Sequence, residues 1–334
     1  MTSTLASLRP FGFEEGNRWL LLHSPNFADL AHMFAQKSPE LVELGKISWS
    51  QFPDGTPNIV LPAAAIENRD VLFFGSAQEP LLEFFGAVYA IPRYHARTFT
   101  VVMPFYPTGT MERVSIEGEV ATAKTLARMM DATPRATVGQ TQYIIYDIHA
   151  LATRFFFSDN ISVHFVSATP MLLRKMADIE ERERQKPMLA FPDEGAKKRF
   201  ATSFPGFDVV LCIKTRVGNE RHLALQEGNP EGRHCVIVDD LVQSGGTLIS
   251  CKDFLFARGA RAVSAYVTHG VFPNQSWEKF FVENTKPPQK PFEKFFITDS
   301  VPLSAKAVQG KEPFYVFCLG ESLTQLLMPK PKFA

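Results

Sequence analysis

Cysteine is scarce in this chain: four in 334 residues, at Cys212, Cys235, Cys251 and Cys318, with no C-x-x-C pair among them. That spacing argues against a disulfide-stapled scaffold or a zinc ribbon, and suits reduced core thiols in an intracellular protein. Net charge is missing too. Thirty-five Lys and Arg are matched by 35 Asp and Glu, which disfavours a dedicated nucleic-acid binder. No apolar run approaches the ~20 residues that cross a bilayer. No basic start precedes a long apolar stretch, so neither a membrane span nor a signal peptide is expected, and the expected location is cytoplasmic with an organelle left open. No Gly-, Ser- or Pro-rich linker divides the chain. Phenylalanine, by contrast, is in excess at 30 residues. Large apolar interiors or a buried contact between copies would both use it. The length suits two medium domains with real cores.

One stretch carries most of the chemistry. His234-Cys235-Val236-Ile237-Val238-Asp239-Asp240-Leu241-Val242-Gln243-Ser244-Gly245-Gly246-Thr247-Leu248 reads as strand, loop and helix. Residues 235–238 have the length and β-branching of a buried parallel strand, and Asp239 and Asp240 end it. Gly-Gly-Thr then opens a helix with Leu248, Ile249, Cys251, Phe254 and Leu255 near a 3.6 period, and Gly259 stands where a C-terminal cap belongs. Glycines let backbone N–H groups converge on an anion at a helix N-terminus, and Ser244 and Thr247 add hydroxyl donors. Adjacent carboxylates repel, so Asp239 and Asp240 need solvent, a metal or sugar hydroxyls beside them. A phosphate cradle next to hydroxyl acceptors suits a phosphorylated sugar. The plain alternative is a surface strand end and an ordinary turn.

Elsewhere, strands alternate with helices. Strands are expected at 18–23, 71–74, 99–105 and 143–146, and helices at 26–34, 80–90 and 120–130, with a Pro-Asp-Gly turn after 47–52. The second half gives a charged helix over 171–186, strands at 188–191, 209–213, 262–267 and 295–298, and a last helical turn or two at 322–328. This order favours parallel sheets with helices on both faces and ligands at the C-terminal strand ends. Asp147 and His149 lie two apart at one such end, able to hold a hard divalent ion or simply to be structural. Lys214 and Arg216, two apart after 209–213, can aim at one polyanion or merely keep a strand end soluble. The halves suggest domains 1–160 and 161–334, with the last helix returning to the first.

Together these residues resemble the ribose-phosphate diphosphokinases, also called phosphoribosyl pyrophosphate (PRPP) synthetases, across nearly the whole chain. The likeness is greatest to the plant-type, phosphate-independent class II branch. It rests on the 239–247 loop, Pro104-Phe105-Tyr106-Pro107-Thr108-Gly109-Thr110, Asp147-Ile148-His149-Ala150-Leu151, Phe191-Pro192-Asp193 and Tyr266-Val267-Thr268-His269-Gly270. The Asp-Asp…Gly-Gly-Thr loop alone would indicate only the phosphoribosyltransferase superfamily. The resemblance implies an α/β fold of two tandem phosphoribosyltransferase-type, Rossmann-like domains, each a mainly parallel sheet flanked by helices. It implies transfer of a diphosphoryl group from ATP to the anomeric hydroxyl of ribose 5-phosphate, with Mg²⁺ as cofactor, in a homo-oligomer. Position by position, Asp239 and Asp240 would bind ribose hydroxyls, and Gln243, Ser244, Gly245, Gly246 and Thr247 would cradle the 5-phosphate. His149 would meet the Mg²⁺-ATP phosphates with Asp147 helping, and Asp193 would hold a second Mg²⁺ or the ribose end. Lys214 and Arg216 match a basic pair on a mobile catalytic loop. Phe52 and Asp54 match an aromatic-x-acid segment that holds adenine, often from a neighbouring subunit.

The departures are local. Thr110-Met111-Glu112 stands where typical bacterial and animal members have an Arg-Gln-Asp-rich ATP loop, with Arg113 as the substitute cation. Gln243 stands where they carry an acid, and no proline follows His149 in the metal signature, which leaves Asp159 as an extra metal candidate. By analogy with the plant branch, these changes imply loose nucleotide selectivity and no need for phosphate activation. Two rival readings stay open. A PRPP-consuming phosphoribosyltransferase would share the ribose loop without needing Asp147, His149, Phe52 or Asp54. A catalytically silent regulatory subunit would keep the fold and lose the phosphate-handling residues. Attack at the β-phosphorus builds charge on oxygens, so positioning and positive charge matter more than a covalent nucleophile. Lys214→Ala is expected to lower kcat by ~100-fold or more while ribose 5-phosphate still binds. Steady-state kinetics returning a near-normal kcat would remove Lys214 from this role.

Overall fold

Alternation of apolar strands with amphipathic helices produces two parallel sheets. The computed structural model describes residues 18–217 and 220–327, without the side chains of 214–222. Two units divide these residues: one takes 18–166 and 318–327, the other 167–317.

The first unit runs β1 (Trp19–His23), α1 (Ala28–Lys37), β2 (Val42–Leu44), a hairpin of β3 (Ser48–Gln51) and β4 (Pro57–Val60), α2 (Ala63–Ile66), β5 (Asp70–Phe74), α3 (Leu81–Ala90), β6 (Thr98–Val102), α4 (Thr122–Asp131), β7 (Thr141–Tyr146) and β8 (Ile161–Val166). Its six-stranded sheet has the order β2-β1-β5-β6-β7-β8, with every pair parallel. All residues of β5 and β6 are buried, as both faces are covered. Phe73 packs on Phe84 of α3 and Phe74 on Phe34 of α1, with ring centroids 6.3 and 5.7 Å apart. Period two sends the neighbouring rings to opposite faces, and burying each ring is worth ~2 kcal/mol.

The second unit runs α5 (Thr169–Glu183), β9 (Met188–Phe191), α6 (Glu194–Phe200), β10 (Val209–Val217), β11 (Glu220–Glu227), β12 (His234–Val242), α7 (Gly246–Ala257), β13 (Ala262–Gly270), β14 (Phe295–Thr298), α8 (Pro302–Val308) and β15 (Phe314–Phe317). Helix α9 (Leu319–Leu327) returns to the first unit, where Ser38 Oγ and Thr324 Oγ1 share a hydrogen bond of 2.8 Å and Tyr146 donates to Ser322 Oγ at 3.2 Å. The second sheet has the order β11-β10-β9-β12-β13-β14-β15, parallel except at β10/β11. Part of the phenylalanine excess fills its core. Phe280 lies 4.8 Å from Phe295, which lies 5.1 Å from Phe314, with Phe272 and Phe292 against the same cluster. Cys212, Cys235 and Cys251 are buried in that core, Cys318 is half-buried, and all four are free thiols. No helix among the described residues is long and apolar enough to cross a membrane.

Because the strands of the first sheet are parallel, their C-terminal ends share one edge. There Glu79, in the turn after β5, is almost wholly buried and accepts a hydrogen bond from Ser24 Oγ, just past β1, at 2.6 Å. Burial, with Glu83 adding to it, pushes this carboxyl from its ordinary 4.5 up to about 7 against the opposing Ser24 bond. A folded pKa above the unfolded one means the native state binds the extra proton. Its stabilising share is therefore complete below the unfolded pKa and is lost as pH rises towards 7. Glu79→Gln is expected to remove up to about 3 kcal/mol of this pH dependence. Denaturant melts at pH 5 and pH 8 check it, and equal pH slopes for both proteins would refute it.

Candidate active site

β12 is the central strand of the second sheet, enclosed by β9 and β13. Residues 234–238 are fully buried. The strand does not stop at the carboxylates, since Leu241 and Val242 pair with His269 and Gly270. The sequence expectation of a strand ending at 238 followed the apolar run. The backbone ladder continues regardless of side-chain polarity. Asp239 is half-buried and Asp240 buried, and the Asp240 N–H donates to Asp239 Oδ1 at 3.0 Å. Burial first, then the charges of Asp240 and Asp193, push the Asp239 carboxyl well above its usual range. Asp193 follows β9, the strand beside β12. Its carboxylate also caps α6, accepting from Ala196 N at 2.9 Å. Three of the sequence candidates thus share one electrostatic neighbourhood.

The loop after β12 leads into α7, a twelve-residue helix whose N-cap is Gly245 at φ +82°. That conformation favours glycine, and space demands it as well: a Cβ there would lie 2.2 Å from Phe280 Cζ. A Cβ at Gly246 would meet nothing within 4 Å, so the helix mouth is open. Glycine at the cap offers no hydroxyl or carboxylate to the first-turn amides, which is the arrangement an anion uses. Ser244, Gly246 and Thr247 are all exposed.

Residues 271–280 hold this loop in place, and sequence reasoning missed them. Val271 N and Phe272 N donate to Val242 O at 3.0 and 3.3 Å. Ser276 Oγ donates to Gln243 O at 2.8 Å, Lys279 Nζ to Ser244 O at 3.1 Å, and the Phe280 ring fills the space at Gly245. Phe272, Asn274 and Gln275 have φ of 44°, 53° and 58°, a left-handed run that these contacts must sustain. No local motif announces such a brace. Its partners lie about thirty residues upstream.

The expected strand 209–213 extends as β10 to Val217, because β11 pairs with it, Lys214 opposite Leu223 and Arg216 opposite Arg221. The basic pair therefore sits on an antiparallel ribbon. The side chains of Lys214 and Arg216 lie outside the described residues.

In the first unit, Asp147 and His149 follow β7 at the sheet's C-terminal edge. Asp147 is buried, with φ of 32°, and its N–H donates to Val166 O at 2.9 Å, while His149 is exposed. A Cβ at Gly109 would lie 3.2 Å from Tyr106 O and 3.6 Å from His149 Cβ. The 104–110 loop therefore packs on His149, and two separate motifs meet. Arg113 is exposed and pairs with Glu112 at 2.8 Å. Asp159 accepts from the Gln140 side chain through its main-chain carbonyl. Phe52 and Asp54 stand exposed around the β3/β4 turn. Asp54 Oδ1 accepts from the Thr56 hydroxyl at 2.6 Å and from its amide at 3.0 Å, and these bonds hold the carboxyl below its usual range. The hairpin is tied to β1 by Trp49 Nε1, which donates to His23 O at 3.2 Å. Among the described residues, no three His, Cys, Asp or Glu side chains form a metal site by themselves.

Residues 21–133 match the N-terminal domain of ribose phosphate pyrophosphokinase, and residues 194–289 match the phosphoribosyl transferase domain. Ribose-phosphate pyrophosphokinase 3, mitochondrial, of Spinacia oleracea is 44% identical over 310 residues, covering 92% of this chain and 76% of its own. Ribose-phosphate pyrophosphokinase 4 of Oryza sativa subsp. japonica is 44% identical over 293 residues, 87% of this chain and 90% of its own. The crystal structure of phosphoribosylpyrophosphate synthetase from Mycobacterium smegmatis shares the fold, with a TM-score of 0.75 over 93% of this chain and 98% of that one at 19% identity. Over almost its whole length, and in both of its α/β units, the chain belongs to the ribose-phosphate pyrophosphokinase family.

Proposed function

We propose that the protein is a ribose-phosphate diphosphokinase, transferring the β,γ-diphosphoryl group of ATP to the C1 hydroxyl of ribose 5-phosphate. The observation that carries this reading is the acceptor rim of the second unit. Asp193, Asp239 and Asp240 crowd one strand edge beside an open helix mouth. Ribose hydroxyls donating to Asp239 and Asp240 relieve carboxylates that otherwise repel. The 5-phosphate takes the amides and hydroxyls of Gln243, Ser244, Gly245, Gly246 and Thr247. In the transfer, ribose O1 bonds to the β-phosphorus and the bond from that phosphorus to the α–β bridging oxygen breaks. AMP leaves with the bridging oxygen, and the C1 hydroxyl proton passes to solvent. Lys214 and Arg216 supply positive charge as charge builds on the transferring oxygens, and His149 meets the nucleotide phosphates. Arg113 adds a cation on the nucleotide side, and Phe52 with Asp54 holds adenine, offered to a neighbouring copy in a homo-oligomer.

Asp147 and His149 suit one Mg²⁺, and Asp193 suits a second Mg²⁺ or the ribose end; Mg²⁺ is a hard ion that keeps several waters and completes its shell with substrate phosphates. When bound, it would neutralise charge on those phosphates. Incubation with Mg²⁺, ATP and ribose 5-phosphate is expected to yield AMP that depends on the sugar. Pyrophosphate release from PRPP and a base would point instead to a transferase, and no turnover to a silent subunit. Gly245→Ala is expected to raise the KM for ribose 5-phosphate by about tenfold or more, because a left-handed Cβ costs ~1 kcal/mol and displaces Phe280 as well. An unchanged KM would show that the cradle tolerates a side chain there.

A further inference from the structure

The loop Gln243-Ser244-Gly245-Gly246-Thr247 contains no cation of its own, yet on the reading above it receives a phosphate monoester that is close to dianionic at neutral pH. The brace segment supplies one. Lys279 is exposed, and its Nζ donates to Ser244 O at 3.1 Å. That single bond uses one of three ammonium protons and fixes the head group at the loop carbonyl. Ser276 on Gln243 O and Phe280 against Gly245 hold the same segment at the two flanking loop residues. The ammonium therefore stands at the rim of the open helix mouth, on a side chain whose backbone is anchored on both sides.

We propose that Lys279 is a 5-phosphate-binding residue: its ammonium, held on Ser244 O, donates to the phosphate of ribose 5-phosphate seated at the N-terminus of α7. This inference rests on the diphosphokinase reading only for the identity of the sugar phosphate. Lys279 acts on acceptor binding and not on diphosphoryl transfer. Solvent screens an exposed ammonium, so its share is moderate and shrinks in salt.

The test pairs equilibrium binding with turnover. Titration calorimetry of ribose 5-phosphate with Lys279→Met is expected to show a Kd about tenfold weaker than the parent protein, the scale of one charge-assisted hydrogen bond. Lys279→Arg is expected to recover most of the loss. Turnover by Lys279→Met should show the KM for ribose 5-phosphate raised in parallel, with kcat and the KM for ATP within about twofold. Ser276→Ala, which removes a brace bond but no charge, separates bracing from direct contact and is expected to weaken Kd clearly less than Lys279→Met does. An unchanged Kd in Lys279→Met overturns the proposal. So does an equal loss in Lys279→Met and Ser276→Ala, or a failure of Lys279→Arg to recover binding. Parent protein that binds ribose 5-phosphate but makes no AMP overturns the diphosphokinase reading instead, and the Kd ratio still decides on Lys279. Parent protein that does not bind the sugar phosphate overturns both.

Discussion

Two adjacent carboxylates on the central strand of a sheet are an electrostatic load, and the second unit is arranged around it. β12 has neighbours on both sides and five fully buried residues before Asp239. Asp193, one strand over, adds to the charge, and the Asp239 carboxyl responds by holding its proton more tightly. The Asp240 N–H on Asp239 Oδ1, within the strand, offsets part of this crowding. A polyol beside a phosphate would add hydroxyl protons at the carboxylates and negative charge at the helix end. A rim of this kind distinguishes its ligand by where the donors and the anion fall along it.

The glycine loop meets a different demand, that of shape. Gly245 is fixed twice, by its left-handed backbone and by the Phe280 ring that occupies the place of a side chain. Phe280 in turn belongs to the aromatic cluster with Phe272, Phe292, Phe295 and Phe314. The glycine loop is thereby joined to the core of its unit through one ring. Apolar packing, which has no directional preference, becomes directional where a glycine lets a ring reach the backbone.

The apolar runs reported buried strands well and their polar extensions poorly. Residues 235–238, 209–213 and 262–267 were each legible, but β12, β10 and β13 run on to Val242, Val217 and Gly270. Main-chain pairing needs no apolar side chain, so a hydrophobic pattern cannot show where a ladder ends. The edge strand β8 was missed although Ile161, Val163 and Phe165 alternate with Ser162 and His164; four of its six residues are only half-buried. Candidate site residues were legible where chemistry is concentrated in a short motif, as at Asp239–Thr247 or Asp147–His149. The support given by Ser276, Lys279 and Phe280 was not, because its meaning arises only when 271–280 folds onto 242–245. The contact between Gly109 and His149 is of the same kind.

Helix α9 lies at the far end of the described chain but packs on α1, through Ser38 with Thr324 and Lys37 with Glu321. During synthesis the ribosome thus finishes the second unit before it releases the helix that closes the first. The unit begun earliest is completed last, and until then it carries an uncovered patch around Phe34, against which Gly320 of α9 packs. A chain stalled or trimmed after β15 would keep every residue of the glycine loop while leaving the other unit open on that side.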